Sequence, residues 1–274
     1  GRALGVVADP ATPVLWRAIV HDGALVAGSG SDGKVFRVTR DGKAALLVDT
    51  EQLQVHALAA APGRDVYIGT SPDGRVLRVD PAGKTTVFFD PEEKYIWALA
   101  TAPDGSVIVA TGEPGGVHVV KPDGTSRLLY RSKATHVTAL LPQGDGTVVI
   151  GTDSPGQVIR LAADGKPFVL LDSPQREIRA LTADRDGHVL VAAMTARAAT
   201  EPRAVLPTPA GEPAATSTAP VPTVTTEVVI TAIGDSVTTA PAQGRTGEAR
   251  RDTKGSIYRI APDGLWDELW TSDD

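Results

Sequence analysis

The chain has 274 residues, 42% apolar and 22% charged, with a net charge of −6 when the histidines are neutral; that length buries a real core. It has no cysteine, which excludes a disulfide framework, a thiolate metal site and a cysteine nucleophile. The acidic balance argues against a nucleic-acid binder, which needs clustered Lys and Arg to release counterions, and no apolar run reaches the roughly 20 residues of a bilayer span. The composition fixes no compartment; a periplasmic or extracellular one is favoured over the cytoplasm. Glycine (28) and proline (21) are abundant and aromatics make up only 4%, so turns are many and the core is built from Val, Leu, Ile and Ala.

In chain order, residues 1–13 hold ALGVVA at 3–8, which reads as a strand finishing a preceding unit. From residue 14 to 193 a repeat runs. Segments 25–39, 66–80, 107–122 and 148–162 each give a short apolar strand, a small-residue turn, a glycine and a second strand. The glycine opening that second strand is Gly33, Gly74, Gly116 and Gly156, at steps of 41, 42 and 40. The glycine of the next turn, Gly42, Gly83, Gly124 and Gly165, steps by 41 each time, as do Ala57, Ala98, Ala139 and Ala180, with Ala18 preceding at 39. Within 55–90 the strands are VHALAA (a), DVYIGT (b), RVLRVD (c) and TTVFFD (d). The a–b and c–d turns carry Asp-Gly, where glycine supplies the positive φ of a tight hairpin. β-branched residues alternate and helical periodicity is absent.

The fifth unit begins at 178–193, but its strand c arrives only at 255–260, with Gly264 in its turn. The intervening 194–251, rich in Ala, Thr and Pro, reads as a flexible b–c insertion, with VTTEVVITAI at 224–233 as its one strand candidate. Residues 252–274 complete the unit. By the parity of a meander, the insertion projects from the rim that carries the d–a loops and can cover the mouth of a central channel.

A four-stranded antiparallel meander every 41 residues cannot close a core alone and must stack on its neighbours. On these markers the chain resembles bacterial β-propellers of the WD-repeat, NHL-repeat and gluconolactonase-like kind, although the Gly-His and Trp-Asp signature of WD repeats is missing. The resemblance implies an all-β fold, a β-propeller of four-stranded antiparallel blades, with five repeats visible. A piece of a propeller with more blades is favoured over five blades closed end to end, because no strand is left to interlock the first and last.

Several motif matches fail on context. Gly28–Gly33 fits G-x-G-x-x-G, but a strand follows where a dinucleotide site needs a helix. Gly234-Asp235-Ser236 resembles a hydrolase elbow, yet all five histidines precede it and no later base is left to take the serine proton. Asp184-Arg185-Asp186-Gly187 echoes a calcium loop but lacks a third carboxylate, and the a–b turn explains it. The recurring strand-c arginines, Arg37, Arg78, Arg160 and Arg259, read as packing residues: the stem covers apolar surface and the head pairs with a turn aspartate.

The remaining candidate is a ring. In propellers of this kind strand a lines the channel. Just before the repeating alanine stand Arg17, His56, Trp97, Thr138 and Arg179; two residues earlier on the same strand face stand Leu15, Gln54, Tyr95, His136 and Glu177. The neighbouring alanine and Ile/Leu positions hardly change, whereas these vary in charge and size, as ligand-facing positions do. The expected ligand-binding set is therefore Arg17, His56, Tyr95, Trp97, His136, Thr138, Glu177 and Arg179, taking a small polar or anionic ligand or an unidentified protein by stacking and charge. No catalytic residue, metal ligand or cofactor is assigned. The leading expectation is a non-catalytic binding module. The alternative is a metal-dependent enzyme like the gluconolactonases and streptogramin lyases, which hold a divalent ion with Glu, Asn or His from different blades. This chain has no Asn, which leaves Glu177 with His56 or His136.

Overall fold

The computed structural model describes residues 8–10, 12–61, 63–195 and 254–272. These residues form β-strands and no helix. The strands come in consecutive antiparallel quartets. The first holds β1 (Leu15–His21), β2 (Ala24–Ser29), β3 (Lys34–Val38) and β4 (Ala44–Asp49), and the second β5 (Gln54–Ala60), β6 (Val66–Ser71), β7 (Val76–Val79) and β8 (Thr85–Phe89). The third holds β9 (Tyr95–Thr101), β10 (Val107–Gly112), β11 (Gly116–Val120) and β12 (Ser126–Arg131), and the fourth β13 (His136–Pro142), β14 (Val148–Asp153), β15 (Gln157–Leu161) and β16 (Pro167–Asp172). The last holds β17 (Glu177–Ala183), β18 (Val189–Thr195), β19 (Lys254–Ile260) and β20 (Trp266–Thr271). Within each quartet every strand pairs with the next; single-pair bridges at Gly112–His136 and Asp153–Glu177 join the last three quartets into one twelve-stranded sheet.

The chain divides by contacts into Gly1–Arg197 with Asp252–Asp274, and Ala198–Arg251. The second body lies outside the described residues, as do most of the 194–251 insertion, the strand candidate at 224–233, Gly234–Ser236 and nearly all of the 3–8 strand. Gly28–Gly33 is the end of β2 and the β2–β3 turn, and a strand does follow it.

Quartets stack through their faces. Val26 and Val35 pack on Val55, Leu58 and Ile68; Ala57 and Tyr67 on Ile96 and Val109; Ile108 and Val117 on Val137 and Ile150; Val149 and Val158 on Ile178 and Val191. A small residue on the second strand of one quartet admits a branched residue from the first strand of the next. A Cβ added at Gly28 would meet Val55, one at Gly69 would meet Ile96, and one at Gly151 would meet Ile178. Among the described residues the outer face of the last quartet has no such cover: Ile257 is 39% exposed where its ladder counterpart Val158 is fully buried, and Leu269 and Trp270 are exposed where Leu170 and Leu171 are buried.

The turns before β3 and β7 depend on glycine at positive φ, Gly33 and Gly74. Gly74 has φ +60°, and a Cβ there would collide with the backbone carbonyl of Glu93; Gly63, at φ +72°, faces open space. Both substitutions to alanine carry the left-handed cost of about 1–2 kcal/mol. Only Gly74→Ala also forces the backbone apart, so it should exceed Gly63→Ala by at least about 1 kcal/mol in urea unfolding. Equal losses would mean that the Glu93 loop yields freely. That loop is pinned: the Glu93 carboxylate is buried, accepts from Arg131 Nη1 at 2.7 Å and lies 3.2 Å from His118 Nε2.

Three of the four strand-c arginines, Arg37, Arg78 and Arg259, pair with carboxylates. Arg37 reaches Asp22 at 3.0 Å and Arg78 reaches Asp65 at 2.8 Å, both beside the β-turn that precedes the second strand. Thr147, through its hydroxyl and backbone N–H, and then Arg160 hold the Asp145 carboxyl below the usual range. Arg259 differs: its partner is Asp267 on the adjacent strand β20, at 2.8 Å, and not a turn aspartate.

Candidate functional site

Every first strand carries a β-bulge at the same place. The ladder skips one residue between Leu15 and Arg17, Val55 and Ala57, Ile96 and Ala98, Val137 and Ala139, and Ile178 and Ala180. The residues left unpaired are Trp16, His56, Trp97, Thr138 and Arg179. A bulge bends its strand and re-aims the extra side chain. Here all five line one cavity of about 80 Å³, together with Arg17.

The aromatic residues form a continuous contact chain. Trp16 and His56 rings lie 5.2 Å apart between centroids, His56 and Trp97 4.5 Å, and Trp97 and Tyr95 5.5 Å in a stacked arrangement. The Trp97 indole N–H donates to His136 Nδ1 at 3.0 Å, which requires that nitrogen to carry no proton. Tyr95 meets His136 edge-on at 5.8 Å. Arg179 closes the arc from the far side, with its guanidinium carbon 5.2 Å from the centre of the Trp16 ring, a cation–π geometry. Its Nη1 donates to Glu177 at 2.9 Å. Thr138 donates its hydroxyl to the Ile178 carbonyl at 2.6 Å, tying β13 to β17.

His56 is the buried centre. Its Nε2 lies 2.7 Å from Gln54 Oε1, so the ring N–H donates there. Burial, with the Arg179 charge added, pushes its pKa down to about 4. At neutral pH the cavity therefore holds a neutral imidazole, with Arg17 and Arg179 also in its wall.

Of the eight residues expected from the sequence, Arg17, His56, Trp97, Thr138 and Arg179 line the cavity. Tyr95 and His136 support Trp97 from behind, and Glu177 holds Arg179. Trp16 was missed. Register pairs Arg17 with Gly28 and Ala57 with Gly69, so Arg17 takes the ladder place of the repeating alanine and Trp16 takes the bulge. The signal was present: the two glycines are 41 apart, whereas Ala18 and Ala57 are 39 apart.

Three possible metal donors come together at Asp184, Asp186 and His188. They lie in the β17–β18 turn, at the opposite end of β17 from the cavity. Asp184 Oδ1 accepts the backbone N–H groups of Asp186 and His188, both at 2.9 Å, which is turn closure.

No protein-family model and no curated protein matches the chain. Solved structures do. Virginiamycin B lyase from Staphylococcus aureus aligns with a TM-score of 0.58 at 12% identity, over 65% of this chain and 62% of that one. A structure described as the nidogen/laminin complex aligns at 0.54 and 15% identity, over 62% of this chain and 67% of that one. The WD40 β-propeller domain of Doa1 aligns at 0.55 and 16% identity, over 64% and 58%. The chain thus spans about three-fifths of the lyase and of the Doa1 domain. Among the described residues no helix is long and apolar enough to cross a membrane. Antiparallel sheets stacked around one cavity, and structural likeness to the lyase, the nidogen/laminin structure and the WD40 domain alike, identify the fold of this chain as a β-propeller.

Proposed function

We propose that the chain is a non-catalytic β-propeller binding module whose bulged residues hold one anionic group of a small ligand or partner protein. The observation that carries this reading is the convergence of Trp16, His56, Trp97, Thr138 and Arg179 on one cavity, with Arg17 beside them. Two guanidiniums supply charge and planar donors, and the indoles supply faces for stacking. A cavity of about 80 Å³ suits a carboxylate, sulfate or phosphate group, well below the ~300 Å³ of a whole-ligand pocket. The rest of the ligand would lie on the rim. Each quartet is read as one blade, over 14–193 and 252–274, with 194–251 inserted in the fifth.

Titration with inorganic phosphate, followed by the indole N–H signals of Trp16 and Trp97, tests the site. Arg179→Ala and Trp97→Ala should each weaken saturable binding at least tenfold. The melting temperature should stay within a few degrees, a change of about 1 kcal/mol or less. Unchanged affinity in both variants, or loss of the fold in both, would overturn the reading.

Thr195 pairs with Lys254, so the strands flanking the insertion already meet as a hairpin. Replacing 196–253 by a two-residue Asp-Gly turn should leave cooperative unfolding intact; loss of cooperativity would make the segment structural.

The second reading, a metal-dependent lyase- or lactonase-like enzyme, is favoured by the likeness to virginiamycin B lyase. It requires Glu177 to share an ion with His56 or His136. Among the described residues they form no such donor group: Glu177 is bound by Arg179 and His136 by Trp97. Stoichiometric Ca²⁺, Mg²⁺ or Zn²⁺ with a rise in melting temperature, lost in Glu177→Gln, would establish this reading instead.

A further inference from the structure

A second cavity, of about 320 Å³, opens between the third and fourth quartets at the opposite ends of the strands. Its walls include Ile108, Val119, Leu129, Pro142 and Val148, and Arg127 stands among them. The repeat explains why it is there. At one ladder position the third strand carries arginine in the other quartets: Arg37, Arg78, Arg160 and Arg259, whose fourth-strand partners are Ala45, Thr86, Phe168 and Asp267. In the third quartet the pair is reversed to Val119 and Arg127. Such an arginine stem covers apolar surface between neighbouring sheets; a valine in its place leaves the notch open and greasy.

Arg127 then supplies a positive charge that its fourth-strand counterparts lack. Its Nη2 donates to the backbone carbonyl of Ala163 at 3.0 Å, and among the described residues no carboxylate lies within ion-pair distance of it. The one carboxylate among the described residues of the cavity wall, Asp104, already accepts the Ser106 backbone N–H at 2.9 Å and its hydroxyl at 3.0 Å. A guanidinium fork beside an apolar cavity matches a carboxylate with an apolar body. The volume lies at the lower end of the ~300–1,000 Å³ range of small-molecule pockets.

We infer that this notch is a binding site for an apolar monocarboxylate, its body against Val119, Ile108 and Leu129 and its carboxylate on Arg127. It is distinct from the ring of bulged residues and does not depend on it. A free organic acid and a peptide C-terminus ending in an apolar side chain share this chemistry.

The test uses the full chain, with 4-phenylbutyrate as probe and 4-phenylbutanamide as its uncharged match, each followed by calorimetry and backbone amide shifts. The acid should bind saturably and at least tenfold more tightly than the amide. Arg127→Gln should remove that preference. Val119→Arg, which restores the residue of the other quartets, should abolish binding of both probes and leave phosphate binding at the ring unchanged. Displacement of the acid by the tripeptide Gly-Gly-Phe would assign the site to a chain terminus, and lack of displacement to a free acid. Equal affinity for acid and amide, no saturable binding of either, or wild-type acid binding by Arg127→Gln would overturn the inference; the last stands even if Val119→Arg fails to fold.

Discussion

Acidification from pH 7 to pH 4 will remove about 3 kcal/mol of stability through His56 alone. The imidazole titrates near 6.5 when solvated, and burial followed by the Arg179 charge lowers it to about 4 in the folded chain. The sign follows from proton counting. Below 6.5 the unfolded chain takes up a proton that the folded chain refuses, so the stabilisation is complete above 6.5 and is lost as pH falls toward 4. Urea midpoints measured across this range for the native chain and for His56→Phe, which keeps a ring between the two tryptophans, isolate the effect. The slope should flatten in the variant; parallel curves would show that His56 is solvated. Glu93 contributes in a lower window. Burial pushes its carboxyl up, but the bonds from Arg131 and His118 outweigh burial and leave it below 4.5. Its stabilisation is present above 4.5 and is lost as pH falls through the lowered value, after most of the His56 loss.

Ile178→Ala should cost about 2–5 kcal/mol. Ile178 is fully buried, and its branch packs directly over Gly151 of the preceding quartet. Truncation removes apolar burial and leaves a void that two sheets joined side by side fill poorly. Gly151→Ala tests the same contact from the other side: its Cβ would stand 2.6 Å from the Ile178 methyl and should cost about 1–3 kcal/mol by overpacking. The double variant should be more stable than the sum of the two losses, because the added methyl occupies part of the void. Additive losses in equilibrium unfolding would mean that the two residues do not interlock.

Most of the architecture was legible because it repeats. The turn glycines and Asp-Gly hairpins fix where strands end, and their constant spacing fixes which strands are equivalent. The ring was legible for the opposite reason, since His56, Trp97, Thr138 and Arg179 vary where Ala57, Ala98, Ala139 and Ala180 do not. The bulges were not legible, because an extra residue in one strand shows only once a partner is paired beside it. That is why alignment on Ala18 placed Arg17 in the ring and left Trp16 out. The exchange of Val119 and Arg127 was visible as letters, but register was needed to put the two side by side and a neighbouring sheet to turn a missing stem into a cavity.

First strands about 40 residues apart in sequence turn their bulged residues toward one point. Proton NMR of the folded chain tests this most directly. The His56 ring protons should show NOEs to the indoles of both Trp16 and Trp97, and the Arg179 side chain should be shifted upfield by the Trp16 ring. NOEs from His56 confined to its own quartet, with Arg179 at its solvated position, would contradict it.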